Sequence, residues 1–321
     1  MVDFSVCATT YNNAGRLKVC LDSIIKALVD LDFEVVIVDN YSTDGSQEII
    51  WDYAHRYANI KVLRCSCSRG LGRQLAFENS SGRHIITIDT DTEYYSEKLH
   101  KILVSYKQGK LGEMTAVHFW GSLGIYPRPL VEKAGGWRDY NVGEDNDFLA
   151  RLSKVGHLVF LPINIEMNEP YEEWPTKGLI AALRFGTIAR EKRYFEGFQL
   201  LTRTLRNTID NYCSLGITTR NLVIRHRYLG LKIYRRFAGV VLLLFSKIVS
   251  LLWKRPYTSA DVDIHNAHYN YYIFIKNMIN PVKFGFKVEC GPEFFDEHFQ
   301  FVARFKPDMR KNLKFYFSQR D

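Results

Sequence analysis

Four short apolar segments alternate with amphipathic helical patterns over the first ninety residues, and this alternation constrains the fold more than any other feature of the chain. The apolar segments are Phe4–Thr9, Phe33–Val38, Ile60–Leu63 and Ile85–Ile88. Between them, apolar residues recur every three or four positions, which is the spacing of one buried helix face. The pattern predicts the order βαβαβαβ. Because helical crossovers join parallel strands, we expect an α/β fold with a mostly parallel central sheet.

Helical and strand patterns continue beyond these segments. The predicted elements are a helix at Glu97–Lys107, strands at Thr115–Phe119 and Ile125–Tyr126, helices at Pro129–Ala134 and Asp145–Val155, a strand at Leu158–Leu161, and a helical stretch from Thr176 to Tyr212. The chain has 321 residues, 46% of them hydrophobic, which is enough for one large domain with an appendage. We therefore predict an α/β domain over residues 1–210 and a largely helical C-terminal region over residues 211–321.

The net charge of +8 resides in the C-terminal third of the sequence. Residues 211–321 hold 18 Lys and Arg against 8 Asp and Glu, and no acidic residue lies between Asp210 and Asp261. Such a basic region indicates an anionic partner, either a membrane surface or nucleic acid. No helix-turn-helix, zinc-finger or RNA-binding signature is visible, so no nucleic acid partner is expected.

The most apolar stretch, Phe237–Trp253, leaves three interpretations open. It is slightly shorter than the roughly 20 residues that cross a bilayer, and Lys247 interrupts it. It could be a buried core helix, a helix lying in the membrane interface, or a membrane span. Basic and aromatic residues precede it, so we expect residues 220–255 to dock on anionic lipid.

Six cysteines without a Cys-x-x-Cys pair suggest reduced thiols. The expected location is the cytoplasm, or the periphery of the cytoplasmic membrane face.

The motif Asp89-Thr90-Asp91 directly follows the fourth apolar segment. Two carboxylates two residues apart at the end of a buried strand can converge on one hard cation, and carboxylate oxygens suit Mg²⁺ or Mn²⁺. Ligands of open α/β sheets gather at the carboxyl ends of strands. The motif therefore predicts a metal-bridged diphosphate, with Asp91 as the preferred metal ligand. Asp89 would share the ion and lie closer to a ribose. The alternative for an isolated Asp-x-Asp is a solvated turn.

Other polar residues follow strands at the same predicted edge. Asp39 ends the second apolar segment and could accept hydrogen bonds from a nucleobase or ribose, or else cap its own loop. Arg73 is a candidate for a phosphate or base contact. Asn12 or Asn13 could cap the helix that follows the first strand.

Five motifs in a fixed order resemble those of the inverting glycosyltransferases of the GT-A type, in particular family 2. They are Thr9-Thr10-Tyr11-Asn12; the segment Val38–Ser46; Arg73-Gln74 before Ser81-Gly82; Asp89-Thr90-Asp91; and Gly135–Asp139 with Glu144-Asp145 and Arg151-Leu152. The resemblance covers about half of the chain. It implies a Rossmann-like GT-A domain and a nucleotide-sugar donor, with Thr9 and Tyr11 lining the nucleotide pocket and Asp39 contacting the base.

The same resemblance implies where the general base lies. The family places it in the motif matched by Glu144-Asp145, and an inverting transfer needs one carboxylate within hydrogen-bond reach of the acceptor hydroxyl. We prefer Asp145, with Glu144 as the second choice. Trp137 and Asp139 could shape the acceptor pocket, although Trp137 could instead belong to the core.

These inferences together predict a metal-dependent inverting glycosyltransferase that moves one sugar to an acceptor hydroxyl or a lipid phosphate. The acceptor would be a glycan or lipid-linked molecule. The Gln-x-x-Arg-Trp motif of processive synthases is absent from the sequence, which favours one transfer per event. Two departures from the family pattern are Gln74, where Asn is usual, and Arg138 beside Asp139.

Two other functions stay open at this point. A nucleotidyltransferase would also use Asp-bound metal, but it usually needs a Gly- and Lys-rich loop after the first strand, and residues 10–14 provide neither. A non-catalytic protein that binds a nucleotide sugar or a membrane surface is the other alternative.

Overall fold

The computed structural model of the protein describes residues 2–109, 114–120, 123–141 and 143–167, together with separate residues between 230 and 252. The elements within residues 2–167 are β1 (Phe4–Thr10), α1 (Ala14–Ala27), β2 (Phe33–Asp39), α2 (Ser46–Arg56), β3 (Ile60–Arg64), α3 (Arg69–Glu78), β4 (His84–Thr87), α4 (Ser96–Lys107), β5 (Thr115–Trp120), β6 (Gly124–Pro127), α5 (Arg128–Ala134), α6 (Glu144–Val155) and β7 (His157–Asn164). The predicted order of elements is confirmed, with boundaries displaced by up to three residues.

The strands form one seven-stranded sheet in the order β3-β2-β1-β4-β6-β5-β7. Strand β6 pairs antiparallel with β4 and β5, and the other described pairs are parallel. The predicted α/β class with a mostly parallel sheet is therefore confirmed. In the register of β1 and β2, Thr10 lies opposite Asp39. The loops that carry the predicted site thus begin next to one another, at the carboxyl ends of the strands.

Both faces of the sheet are buried. Along β2, Val35 and Ile37 pack into one core cluster, while Val36 and Val38 pack into the cluster on the opposite face. Strands covered by helices on both sides read as continuous apolar runs rather than alternating ones. This double burial explains why the predicted strands were so apolar. Each fully buried Val or Ile contributes about 1.5–3 kcal/mol of transfer free energy.

A buried carboxylate ties the opposite end of the sheet together. Glu34, near the start of β2, accepts hydrogen bonds from the Ser5 hydroxyl at 2.7 Å, the Lys61 ammonium at 2.6 Å and the Ser81 hydroxyl at 2.9 Å. Burial acts to raise the pKa of Glu34, but these donors outweigh it and lower the pKa to about 2. The cluster links β1, β2, β3 and the turn before β4, away from the predicted site.

The C-terminal predictions fall mostly on residues outside the described part of the chain. These are the helical stretch from 176 to 212, the domain boundary at 210 and most of the region 211–321. The residues described between 230 and 252 are helical. Within the described parts of the chain, no helix is both long and apolar enough to cross a bilayer.

Candidate active site

The segment Asp89–Asp91 is fixed to the end of β1 through its middle residue. The Thr90 hydroxyl lies 3.2 Å from the Thr10 hydroxyl and accepts a hydrogen bond from the Asn13 side-chain amide at 2.7 Å. Thr90 itself is buried. With Thr90 held inward, the flanking residues Asp89 and Asp91 both line a pocket at this edge of the sheet. The structure therefore brings the two predicted metal ligands together.

This pocket, with a volume of about 190 Å³, collects most of the predicted donor residues. Its lining residues come from the loops after β1, β2 and β4, the start of α3 and the loop before α6: Thr9, Thr10, Tyr11, Asn13, Asn40, Arg69, Asp89, Thr90, Asp91 and Asn141. The sequence did not point to Arg69 or Asn141. Arg69 is the first residue of α3, and its guanidinium lies 3.7 Å from Glu144. A basic residue at the start of a helix does not by itself indicate a functional site in a sequence.

Arg73, the candidate for a phosphate or base contact, lies among protein carboxylates. It is almost completely buried, and its guanidinium contacts three carboxylates. Its Nη2 lies 2.7 Å from Asp89 Oδ1, and its Nη1 lies 2.8 Å from Glu144 Oε1. Nη1 also pairs with Asp145 Oδ1. Its cation is thus bound to protein carboxylates, while the predicted phosphate or base contact stays untested. Burial raises the pKa of Asp89, and the guanidinium opposes that change.

The two candidates for the general base differ in accessibility. The Glu144 side chain is 2% exposed, whereas the Asp145 side chain is 38% exposed. Burial, together with the charge of Asp145, raises the pKa of Glu144 to about 7 against the opposing effect of Arg73. A carboxylate that acts as the base must lie within hydrogen-bond reach of the acceptor proton. Position is therefore the first criterion for choosing between the two residues, and pKa is the second. Asp145 is the more accessible of the two carboxylates, and its role as the base stays a prediction.

The Asp39 side chain stabilises the loop that begins at this residue. Its carboxylate is buried, accepts a hydrogen bond from the Ser42 amide at 3.1 Å and pairs with Arg64 at 3.4 Å. Asp39 is not among the residues that line the pocket, although its neighbour Asn40 is. The structure therefore shows the loop-capping role that the sequence left as an alternative. Its contact with a nucleobase stays a prediction.

The loop from Asp39 to Ser46 also supports the start of α1. Asn13 occupies the N-cap position without a side-chain capping bond. Instead, the Ala14 amide donates to Asp44 Oδ2 at 2.9 Å, and the Asn13 amide donates to the Ser46 hydroxyl at 2.9 Å. Asn13 is thus at the N-cap position that the sequence allowed, but Asp44 from the neighbouring loop, rather than the Asn13 side chain, accepts the hydrogen bond.

Trp137 lies in the core rather than in an open pocket. Its ring is 4% exposed, stacks on Phe148 with centroids 4.0 Å apart and meets Tyr126 edge-on. This placement matches the core alternative stated from the sequence. Asp139, two residues further on, is exposed, so it is open to an acceptor.

The Gln74 side chain holds the turn at Gly135 and Gly136, which precedes Trp137 and Asp139. Its side-chain oxygen accepts a hydrogen bond from the Trp137 amide at 2.8 Å. Gly136 has φ +60°, and a Cβ there would lie 2.0 Å from the same oxygen. Gln74 departs from the family pattern, and this contact gives the longer side chain a structural role.

A buried ion cluster holds the same loop against α6. Asp147 pairs with Arg151 at 2.7 Å and with Arg138 at 3.3 Å. Arg151 also donates to the carbonyl oxygen of Gly136 at 2.7 Å. Arg138, the other departure from the family pattern, thus has a carboxylate partner. Arg151 and Asp147 of α6 therefore hold the first part of the loop between α5 and α6.

The carboxylates of the pocket would fit a hard cation whose remaining coordination came from phosphate oxygens of a ligand and from water. Among the described residues, no three His, Cys, Asp or Glu side chains form a group that could hold a metal by themselves. Mg²⁺ and Mn²⁺ are commonly bound by one or two carboxylates, with substrate phosphates and water completing the coordination. Asp89 and Asp91, on one pocket wall, are such a pair.

Comparison with known proteins adds an independent line of evidence. Residues 5–145 match the family model described as Glycosyl transferase family 2. A poly(ribitol-phosphate) beta-glucosyltransferase of Bacillus spizizenii is 26% identical over 176 residues, which is 51% of this chain and 28% of that protein. A dolichol-phosphate mannosyltransferase of Pyrococcus furiosus is 30% identical over 107 residues, which is 33% of this chain and 30% of that protein. The chain thus spans less than a third of the length of these two relatives.

Two solved structures are also similar. Staphylococcus aureus TarS 1-349 in complex with UDP-GlcNAc is 18% identical and has a TM-score of 0.46, covering 84% of this chain and 91% of that one. The mannosyltransferase PcManGT from Pyrobaculum calidifontis, in complex with GDP-Man and Mn²⁺, is 18% identical and has a TM-score of 0.46, covering 85% of this chain and 89% of that one.

Proposed function

We propose that the protein is a metal-dependent inverting glycosyltransferase, because residues 5–145 match the family model described as Glycosyl transferase family 2. It would move one sugar from a nucleotide-sugar donor to an acceptor hydroxyl or a lipid phosphate. One observation carries the proposal. The guanidinium of Arg73 contacts both Asp89, on the wall of the donor pocket, and Asp145, the accessible base candidate. A single buried side chain thus links the two groups that an inverting transfer needs close together.

On the donor side, Thr9 and Tyr11 line the nucleotide part of the pocket, and Asp39 is proposed to contact the base. A bound Mn²⁺ or Mg²⁺ would be held by Asp91 and Asp89, and it would supply positive charge to the diphosphate leaving group. Arg69 adds a guanidinium at the same pocket, next to the carboxylates. The binding of the nucleotide, the metal and the sugar at this pocket is proposed from the placement of these residues.

On the acceptor side, Asp145 takes the proton of the attacking hydroxyl. The acceptor oxygen forms a bond to the anomeric carbon as the bond from that carbon to the diphosphate oxygen breaks. The electron pair of the broken bond leaves with the nucleoside diphosphate. Attack on the face opposite the leaving group inverts the anomeric centre. Asp139, exposed in the loop before α6, is proposed to contact the acceptor.

Both acceptor classes stay within the proposal. One similar protein is named for poly(ribitol phosphate) and the other for dolichol phosphate. A hydroxyl acceptor must lose a proton during attack, whereas an ionised phosphate oxygen need not. An Asp145→Asn variant would therefore lose most of its transfer to a hydroxyl but keep more of its transfer to a phosphate.

The proposal is tested by release of nucleoside diphosphate from a panel of UDP-, GDP- and dTDP-sugars with Mn²⁺ or Mg²⁺. We expect turnover of one donor class that is lost on chelation of the metal and in an Asp91→Ala variant. Asp52→Ala is the matched control, because Asp52 is an exposed carboxylate on α2 paired with Arg56. Release of pyrophosphate from nucleoside triphosphates instead would indicate a nucleotidyltransferase. Turnover unaffected by Asp91→Ala would contradict the metal assignment.

A further inference from the structure

The helical residues between 230 and 252 present an apolar face to solvent. The face runs through six large side chains that are between 51% and 69% exposed: Phe237, Val241, Leu244, Phe245, Ile248 and Leu252. These positions are three or four residues apart, except for one adjacent pair. That spacing places them on the same side of a helix.

On the other side of these helical residues, two described positions near the start of the stretch are covered. Arg236 is 3% exposed and Gly239 is buried. A helix at the surface of a globular protein normally shows the reverse arrangement, with its apolar side against the core and its charged side in water. Contiguous exposed apolar surface of this kind marks a site of interaction with a protein or a membrane.

The charge around the face identifies the kind of partner. Residues 211–260 contain nine Lys and Arg residues and no Asp or Glu. Arg227, Lys232 and Arg235 precede the apolar face in the sequence, and Lys254 and Arg255 follow it. An anionic bilayer complements both properties, because it offers an apolar interior beneath a negatively charged surface. Each Lys or Arg near such a surface contributes about 1 kcal/mol of attraction.

Length favours a helix lying in the plane of the bilayer. At a rise of about 1.5 Å per residue, a helix of 16 residues, the length of the sequence segment 237–252, would extend about 24 Å, which is less than the roughly 30 Å of a hydrocarbon core. A second copy of the chain would bring the same positive charge to the contact, so self-association on this face is disfavoured.

We propose that the helical residues described between 237 and 252 dock in the plane of an anionic bilayer, with their exposed apolar face inserted at the boundary between headgroups and acyl chains. This inference goes beyond sugar transfer and does not depend on it. It implies that the enzyme meets its acceptor at a membrane surface, so that diffusion in two dimensions replaces diffusion in three.

The experiment is co-sedimentation of the full-length protein with phosphatidylcholine–phosphatidylglycerol vesicles and with pure phosphatidylcholine vesicles. We expect binding to the anionic vesicles that weakens with salt, and much weaker binding to the neutral ones. A Phe245→Ser/Ile248→Ser variant should bind anionic vesicles about 100-fold more weakly, because it removes two large apolar side chains from the inserted face. The matched control is Val29→Ser/Trp51→Ser, which changes two exposed apolar residues elsewhere and should bind as the parent does.

Three results would overturn the inference. The first is absence of vesicle binding by the parent protein. The second is equal binding by the parent and the Phe245→Ser/Ile248→Ser variant. The third is a dimer in analytical ultracentrifugation that this variant abolishes, which would make the face a contact between copies. Vesicle binding is measured without donor, and donor turnover is measured without vesicles. Failure of this inference is therefore distinct from failure of the proposed enzyme activity.

Discussion

The guanidinium of Arg73 lies 2.7 Å from the carboxylate of Asp89, and the arginine side chain is 2% exposed. The same guanidinium contacts Glu144 and Asp145. The carboxylate of Asp89, which lines the pocket, and the two carboxylates at the start of α6 therefore share one counterion. Three carboxylates gathered in this way would repel one another without it, so the geometry of the site depends on this residue.

Replacing Arg73 should destabilise the fold as well as the site. Arg73→Met leaves buried carboxylates without their counterion, and we expect a loss of about 3–5 kcal/mol in the free energy of unfolding. Arg73→Lys keeps the charge but loses the planar fork, so a smaller loss is expected. Urea denaturation measures the free energy of unfolding of both variants. Arg56→Met, which breaks an exposed pair with Asp52, should cost less than about 1 kcal/mol. Equal costs for Arg73→Met and Arg56→Met would rule out the counterion role.

Glu34 should make the stability depend on pH. Its pKa falls from 4.5 to about 2 in the folded protein. A lowered carboxylate pKa stabilises the folded state fully above the unfolded pKa, and this contribution disappears as the pH falls through the folded pKa. We expect about 2 kcal/mol to be lost between pH 5 and pH 2. Unfolding free energies of the parent and Glu34→Gln should differ at pH 7 and converge near pH 2. A difference independent of pH would contradict this assignment.

Two glycines should respond in opposite directions to alanine. Gly136→Ala places a Cβ against the Gln74 side chain at a φ of +60°, so we expect a loss of about 1–3 kcal/mol. Gly15 lies in α1, and no atom lies within 4 Å of the position that a Cβ would take there. Gly15→Ala should stabilise the protein by about 0.5–1 kcal/mol, because alanine favours a helix. Thermal and urea unfolding of the two variants test this; opposite signs are expected, and a stable Gly136→Ala protein would count against the tight turn.

The Trp137 ring should matter through its packing rather than its hydrogen bonding. Its Nε1 atom is buried and has no hydrogen-bond partner among the described residues. Trp137→Phe keeps the aromatic contact with Phe148 and removes an unsatisfied donor, so a change within about 1 kcal/mol is expected. Trp137→Ala should cost about 3–5 kcal/mol. A large loss of stability in Trp137→Phe would mean that the indole nitrogen is bonded after all.

The elements near the site could be predicted because their signals are local. The apolar run of β2 and the spacing of α1 each follow from a few consecutive residues. Their ends could also be placed close together, since Thr10 and Asp39 close two adjacent parallel strands. Parallel strands with buried faces impose this arrangement on any sequence that forms them.

The contacts that organise the site could not be predicted, because they join residues far apart in the chain. Arg73 and Glu144 are 71 positions apart, and nothing local distinguishes Arg73 from an exposed helical arginine. The hydrogen bond that caps α1 could not be predicted for the same reason. Asn13 has the right type for a cap, but Asp44 takes the role from a loop 30 residues away. Competition between two suitable side chains is settled by tertiary structure.

The central claim is that Asp145 is the base and Asp91 binds the metal of one inverting site. The most direct measurement compares release of nucleoside diphosphate by the parent, Asp145→Asn and Glu144→Gln, with the donor and metal that the parent prefers and an acceptor hydroxyl present. We predict that Asp145→Asn lowers the rate by about 10²–10⁴-fold. Glu144→Gln, which changes a buried carboxyl, should lower it much less. An Asp145→Asn enzyme as fast as the parent would contradict the account.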